Sequence, residues 1–272
     1  MIEIKNIKKV FNPGTVNENV AINNLSLTLN DGDFITVIGG NGAGKSTLLN
    51  IIAGSLEADE GMILINGTNV SKLPEHKRAP YFGRVFQDPM KGTATDMTVL
   101  ENLALAKGRG SIPSLFKWSI SKSEKEEFVN LLKTLDLGLE TRIHQKVGLL
   151  SGGQRQALTL LMATLPVRNN KRIDKPILLL DEHTAALDPK TALKVLELAN
   201  KIVNEKKLTT IMITHNMNDA IKYGNRLIMM SHGQIVVDVS NEEKSKLTIE
   251  SLLELFTSKS GNDVLSDSTI LG

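Results

Sequence analysis

Three segments of this chain are apolar throughout or nearly so: FITVI (Phe34–Ile38), ILLL (Ile177–Leu180) and TIMIT (Thr210–Thr214). A strand with one wet face alternates polar and apolar residues. A strand that is apolar along its length is covered on both faces, as in a parallel sheet layered between helices. Further strand candidates are Ile2–Ile4, Leu25–Leu29, Met62–Ile65, Arg226–Met230 and Gln234–Val237. Helical spacing marks Lys45–Ile52, Val99–Ala106, Ser123–Leu135, Gly152–Leu165, Thr191–Glu205 and Met217–Tyr223. Strands alternating with helices towards both ends of the chain predict an α/β core with a mainly parallel sheet.

The middle, Asp88 to Leu165, reads differently. It is largely helical, with a polar glycine-containing loop at Gly108–Pro113, and is expected to be a helical subdomain inserted into the core. The tail from Ser258, SKSGNDVLSDSTILG, is rich in serine, aspartate and glycine and is expected to be loosely attached.

Composition narrows the chemistry. The 272 residues suffice for one large domain or two small ones, and 41% hydrophobic with 23% charged residues is ordinary for a globular protein. A net charge of +2 writes in no strong pull towards nucleic acid or anionic membrane. With no cysteine, disulfides, thiol catalysis and cysteine-ligated metal are excluded. The N-terminus, MIEIKNIKKVFN, has neither the apolar core nor the cleavage site of a signal peptide. No run approaches the roughly 18–20 apolar residues that span a bilayer. A soluble, cytoplasmic chain is expected, with any membrane role exercised through a partner.

Ligands of open α/β sheets bind beyond the carboxyl ends of the strands. FITVI is followed by GGNGAGKST, ILLL by Asp181-Glu182, and TIMIT by His215. A glycine loop, a carboxylate pair and a histidine are thus expected at one edge of one sheet, which points to a nucleotide-hydrolysing site.

The loop comprises Gly39, Gly40, Asn41, Gly42, Ala43, Gly44, Lys45, Ser46 and Thr47, and fits G-x-x-x-x-G-K-[ST]. Its glycines let consecutive N–H groups point at phosphate oxygens, and the helix from Lys45 adds its positive end. Lys45 is expected on the β- and γ-phosphates of ATP and the Ser46 hydroxyl on Mg²⁺. Asp181 sits where a carboxylate holds Mg²⁺ through water, and Glu182 where a general base polarises the attacking water. The plain alternative is that Asp181 or Thr184 caps a following helix. Phe11, in the polar setting KKVFNPG, is a candidate ring for adenine stacking. His215 and Gln87 carry little weight singly.

LSGGQRQ, Leu150 to Gln156, opens the helix ALTLLMATL. Ser151, Gly152 and Gly153 offer a hydroxyl and bare N–H groups at that N-terminus, a second anion-binding end. One glycine loop does not need two such ends. A head-to-tail dimer, with each signature closing on the partner's nucleotide, resolves the surplus.

These motifs, in this order, resemble the ATP-binding cassette (ABC) ATPases over roughly residues 1 to 240. GGNGAGKST resembles the Walker A loop, VFQDP the Q-loop with Gln87, LSGGQRQ the signature, ILLLDEHTAALD the Walker B segment and D-loop, and His215 in MITHN the switch histidine. Phe11 falls at the adenine-stacking position.

The resemblance implies a phosphate-loop NTPase fold with a RecA-like core, N-terminal antiparallel strands and an inserted helical subdomain. It implies an ATPase domain over residues 1–245, with its core at about 1–87 and 160–245 and the helical subdomain at about 88–159. A C-terminal helix and flexible tail follow over 246–272. It further implies ATP and Mg²⁺ as cofactors, with Ser46, Asp181 and Gln87 at the metal. Glu182, His215 and Gln87 are the implied catalytic residues. Ser151, Gly152, Gly153, Gln154 and Asp188 would face the partner's nucleotide.

The implied partners are an integral-membrane permease, docked at the Q-loop and helical-subdomain groove, a second copy or a paralogous cassette, and indirectly a solute-binding protein. Nucleic acid is not among them. The chain would lie peripherally on the inner face of the membrane. The wording FGRVFQDPMKGTATDMTVLENLALA and DEHTAALDPKTA resembles importer ATPases for amino acids, aromatic ones included. Single-cassette exporters, or a soluble cassette of the iron–sulfur assembly type, are the alternatives.

Three positions depart from the family pattern. His183 stands where proline is common. The helix after the signature is unusually apolar. The loop PVRNNKRIDKP, Pro166 to Pro176, is long and basic.

Overall fold

In the computed structural model, which describes residues 1–109, 120–165 and 176–260, the chain divides into two compact units. One comprises residues 1–78 with 207–272 and the other residues 79–206. The loop expected at Gly108–Pro113 falls outside the described residues from position 110, as do PVRNNKRIDKP up to position 175 and the tail from position 261.

The strands are β1 (Ile2–Phe11), β2 (Asn19–Leu29), β3 (Phe34–Ile38), β4 (Glu60–Ile65), β5 (Thr68–Asn69), β6 (Phe82–Val85), β7 (Ile177–Asp181), β8 (Thr210–Ile213), β9 (Arg226–Ser231) and β10 (Gln234–Ser240). The α-helices are α1 (Lys45–Ala53), α2 (Glu75–Arg78), α3 (Val99–Lys107), α4 (Lys122–Lys133), α5 (Gly152–Ala163), α6 (Pro189–Lys206), α7 (Met217–Lys222), α8 (Asn241–Ser245) and α9 (Ile249–Ser260).

In the first unit, β1 runs antiparallel to both β2 and β4, and β5 flanks β4. Alternation explains this sheet: Ile2, Ile4 and Ile7 are buried while Lys5 and Asn6 face water. β1 and β2 run beyond their apolar cores because their backbone ladder continues as far as Phe11 opposite Asn19, and charge adds to the outer half of β1. Lys9 Nζ lies 2.7 Å from Asp59, and Lys8 Nζ 3.0 Å from Glu60.

The parallel strands of this unit place β3 between β8 and β9, with β10 antiparallel to β9. Every residue of β3 and β8 is buried, as their unbroken apolar sequences require. The helix α1 is closed at its C-terminus by Gly54, in the left-handed conformation, and by the buried Arg78. Arg78 donates to the carbonyls of Ile51 (2.7 Å), Ile52 (3.2 Å) and Leu73 (2.9 Å), so a cation sits on the negative end of that helix.

The helix α9 docks by Leu252 and Phe256, one turn apart, on a cluster with Ile38, Met217, Leu227, Met229 and Val237. Each such burial is worth about 1.5–3 kcal/mol. That packing carries the helix to Ser260, so the polar stretch read as beginning at Ser258 starts inside a helix.

In the second unit, β6 pairs with β7 in parallel, Phe82 opposite Ile177 and Val85 opposite Leu180. The four residues of β6, FGRV, carry a glycine and an arginine, which is why no strand was read there. The glycine is required: a Cβ at Gly83 would stand 1.9 Å from the carbonyl oxygen of Ala163, so β6 lies against the backbone of α5. Reciprocal capping boxes start three helices of this unit, at Thr98/Glu101, Ser121/Glu124 and Ser151/Gln154.

Candidate functional site

In the first unit, β3 ends at Ile38 and the glycine loop follows directly. Gly39, Gly42 and Gly44 adopt φ of 152°, 79° and 97°, values that carry a side chain only under strain. The loop is backed closely. A Cβ at Gly39 would meet the Met230 carbonyl oxygen at 2.3 Å, and the Gly233 N–H donates to the Ala43 carbonyl at 3.1 Å. Rigid backing with freed N–H groups is what a phosphate cradle needs.

Lys45 is buried, and its ammonium donates to the carbonyls of Gly39 (2.8 Å) and Gly40 (3.0 Å), arching over the loop. The helix α1 has no side-chain cap and no acidic residue in its first turn, leaving its positive end to an anionic ligand. Asn41 and Ser46 are exposed, and Thr47 is half-buried.

β8 runs parallel to β3 with Val37 opposite Ile213, so both strands end level. Thr214 and the exposed His215 therefore follow β8 at the same edge at which the glycine loop follows β3. Asn216 then caps α7, accepting from the Asp219 N–H at 3.1 Å. Burial raises the Asp219 carboxyl above its ordinary pKa, while Lys222 and His215 pull it back. Phe11 closes β1 opposite Asn19, half-buried, with Lys9 Nζ 5.8 Å from its ring centroid.

The second unit holds the other sequence candidates. Gln87 is exposed, two residues beyond β6. Asp181 ends β7, and Arg84 Nη2 donates to its Oδ2 at 3.0 Å. Glu182 follows with φ of 45°, a left-handed conformation uncommon for a side chain of this size. The helix-cap alternative for Asp181 and Thr184 fails here, because the next helix, α6, begins at Pro189. There Asp188 Oδ1 accepts from the Thr191 N–H at 3.1 Å. Hydrogen bonds from Thr191, side chain first, hold the Asp188 carboxyl below its ordinary pKa.

His183 lies inside the protein. Burial pushes it down to about 4, and its Nε2 has no hydrogen-bond partner among the described residues. It is therefore neutral near pH 7, not a titrating neighbour of Glu182.

The signature forms the N-terminus of α5. Ser151 is the cap, its Oγ accepting from the Gln154 N–H at 3.3 Å. Ser151 and Gly152 are exposed, whereas Gly153 is buried, and a Cβ there would stand 2.2 Å from Thr191 Cγ2. The Gln154 side chain is turned inward, donating to the Leu137 carbonyl at 3.1 Å and accepting from the Ser151 N–H at 3.2 Å. Further along α5, the fully buried Gln156 donates to the Phe86 carbonyl at 3.1 Å and so ties the signature helix to the residue before Gln87. Arg84 and Gln156 were missed by sequence reasoning. The signal for Arg84 was a charge inside the short stretch FGRVF, whereas Gln156 follows the polar run GGQR and carried none.

Comparison with known proteins gives this geometry a family. The ABC transporter family pattern matches residues 22–185. The chain is 46% identical over 256 residues to a tyrosine transport ATP-binding protein of Clostridioides difficile, covering 94% of this chain and 98% of that one. It is 33% identical to a methionine import ATP-binding protein of Enterococcus faecalis, over 94% of this chain and 76% of the relative. Among solved structures, the dimeric bacterial ABC transporter cassette MJ0796 superposes with a TM-score of 0.71 at 29% identity, over 88% of this chain and 98% of that one. The ADP conformation of the cassette MJ1267 superposes with a TM-score of 0.72 at 29% identity, over 94% and 98%. The same cassette MJ0796 is also known as a post-hydrolysis dimer bound to ADP and phosphate, and resembles this chain at 28% identity. The chain belongs to the ABC transporter family, as an ATP-binding cassette that hydrolyses ATP.

Proposed function

We propose that this cassette is the ATP-hydrolysing subunit of an importer for an amino acid with an aromatic side chain, tyrosine being the first candidate. The observation that carries this is the 46% identity, along nearly the whole of both chains, with a tyrosine transport ATP-binding protein. Among the described residues no helix is long and apolar enough to cross a membrane. On this reading the path for the solute belongs to a permease engaged at the surface around Gln87, and a solute-binding protein would supply the cargo. On this reading the cassette sits at the inner face of the cell membrane.

On this reading each residue has a role that its chemistry supports. The freed N–H groups of the glycine loop and the positive end of α1 hold the phosphates, and Lys45 extends to the β- and γ-phosphates. Phe11 gives its half-exposed ring to adenine. Glu182 takes the proton of the attacking water, His215 contacts the γ-phosphate, and Gln87 reports the site to the permease.

The chemistry of the donor set fits magnesium. The exposed Ser46 hydroxyl and the Asp181 carboxylate are hard oxygen donors, and the described residues hold no cluster of three acidic or histidine ligands. Magnesium is characteristically bound by one or two protein oxygens together with phosphates and water. When bound it neutralises charge on the phosphates. Ser151 and Gly152, exposed at the start of α5, are suited to close on nucleotide held by a second cassette, as the dimeric relatives suggest. Asp188 would line the same junction.

The test is twofold. A tagged chain is purified from detergent-solubilised membranes and its companions identified, and tyrosine uptake is measured in cells lacking the gene. A stoichiometric polytopic permease, and uptake restored by the wild-type chain but not by Glu182→Gln, are the expected results. Purely soluble companions would sink the transport reading, and undiminished tyrosine uptake in the deletion would sink the substrate.

A further inference from the structure

The Arg84 guanidinium has no part in the roles above, yet it touches the Asp181 carboxylate. β6 and β7 run parallel with Arg84 opposite Leu179, so Asp181, two residues on, lies on the same face of the pair. Arg84 Nη2 donates to Oδ2 at 3.0 Å, and the two side chains are only 14% and 15% exposed. Charges so placed are weakly screened by salt.

The guanidinium is also clamped by the residue that follows its own strand. It lies 4.6 Å from the ring centroid of Phe86, and the Phe86 carbonyl is in turn held by the buried Gln156 of α5. The cation is therefore built into the fold at the end of β7.

We propose that Arg84 is a positioning residue: it serves as the internal counter-ion of Asp181 and thereby sets the magnesium concentration at which the cassette takes up nucleotide. The inference rests on Asp181 being the magnesium ligand of the proposed reaction. Without metal, Arg84 holds the carboxylate in place by the 3.0 Å ion pair. With metal present, the guanidinium repels a divalent cation at the same carboxylate, so the site demands more magnesium than an unpaired aspartate would. Replacing Arg84 by a neutral side chain leaves Asp181 as an uncompensated, poorly solvated charge that attracts the metal more strongly.

The test uses the purified full chain and binding of a fluorescent ATP analogue, titrated with magnesium chloride and compared with binding in EDTA. Arg84→Met lowers the half-saturating magnesium concentration roughly tenfold, the lower end of what one neighbouring charge does to a carboxylate equilibrium. Arg84→Lys keeps the charge and stays near the wild type. Binding in EDTA does not change by the same factor. A merely structural pair would move thermal stability and leave the magnesium midpoint where it was. An unchanged or higher midpoint in Arg84→Met overturns the proposal, as does an equal change in EDTA. If thermal melting shows that Arg84→Met does not fold, Arg84→Gln, which keeps a donor but no charge, takes its place under the same criteria. Asp181→Asn separates the two levels. If it leaves the midpoint unmoved, Asp181 is not the ligand and the underlying reading falls. If it raises the midpoint while the Arg84 variants do not lower it, only the role of Arg84 falls.

Discussion

A Cβ on Gly44 would stand 2.4 Å from the carbonyl oxygen of Ala21, on β2, so the last glycine of the proposed phosphate loop is pressed against the backbone of the N-terminal sheet. Gly44 also has φ of 97°. Gly44→Ala therefore meets a rigid obstacle and a strained conformation together, and neither relaxes by a rotamer change. The expected cost is about 1–3 kcal/mol of stability or more. Thermal unfolding reads that loss, and equilibrium binding of ATP should fall below detection. Full ATP affinity in this variant would mean that the loop is not the phosphate site.

Glu182→Gln changes one oxygen for nitrogen and removes the proposed base. The expected result is a fall in ATP turnover of about 10²–10⁴-fold, with ATP binding kept. A dimer trapped by ATP on size-exclusion chromatography accompanies the loss, because closure no longer ends in hydrolysis. Wild-type turnover would assign the base elsewhere.

Ser151 carries two roles with separable readouts. As cap of α5 it accepts from the Gln154 N–H, and Ser151→Ala should cost about 1 kcal/mol in chemical denaturation. As an exposed group at the signature it should matter far more to ATP hydrolysis than that figure accounts for. Loss of hydrolysis confined to the dimer, with monomeric ATP binding unchanged, is the outcome that supports closure in trans.

Lys244, on α8, is buried with its ammonium donating to the carbonyls of Tyr223 and Gly224, the latter at 2.9 Å. Burial lowers its pKa from 10.5 to about 8. Between those values the unfolded chain binds the extra proton, so stability rises with pH across the window from about 8 to about 10.5. At one pKa unit per 1.36 kcal/mol, the full rise from this group is about 3 kcal/mol. Denaturation curves across this range should show that slope in the wild type and lose it in Lys244→Met.

Much of the molecule was legible because its causes are local. Glycine spacing, a helix start and an apolar run lie within a few residues of one another. GGNGAGKST between FITVI and LLNIIAG could therefore be read as a strand, a cradle and a helix before any contact was known. The helix starts at Thr98, Ser121 and Ser151 likewise carry their caps and the answering Glu or Gln three residues on. The strand β6 was not legible, because a four-residue strand with a glycine and an arginine makes sense only when α5 lies against it.

The same division runs through the site. The amino-acid order alone specified which chemical groups the chain carries: a lysine after a glycine loop, two carboxylates after an apolar strand, a serine and two glycines at a helix start. Which of them stand paired, buried or open was settled by folding. Asp181 is held by Arg84, His183 is sealed from water and neutral, and Gly153 is packed against Thr191 while Gly152 is open. The reason is physical. Backbone propensity and periodicity act over one or two turns of chain, whereas burial and ion pairing depend on segments such as Arg84 and Asp181, nearly a hundred residues apart, that meet only when the strands pair.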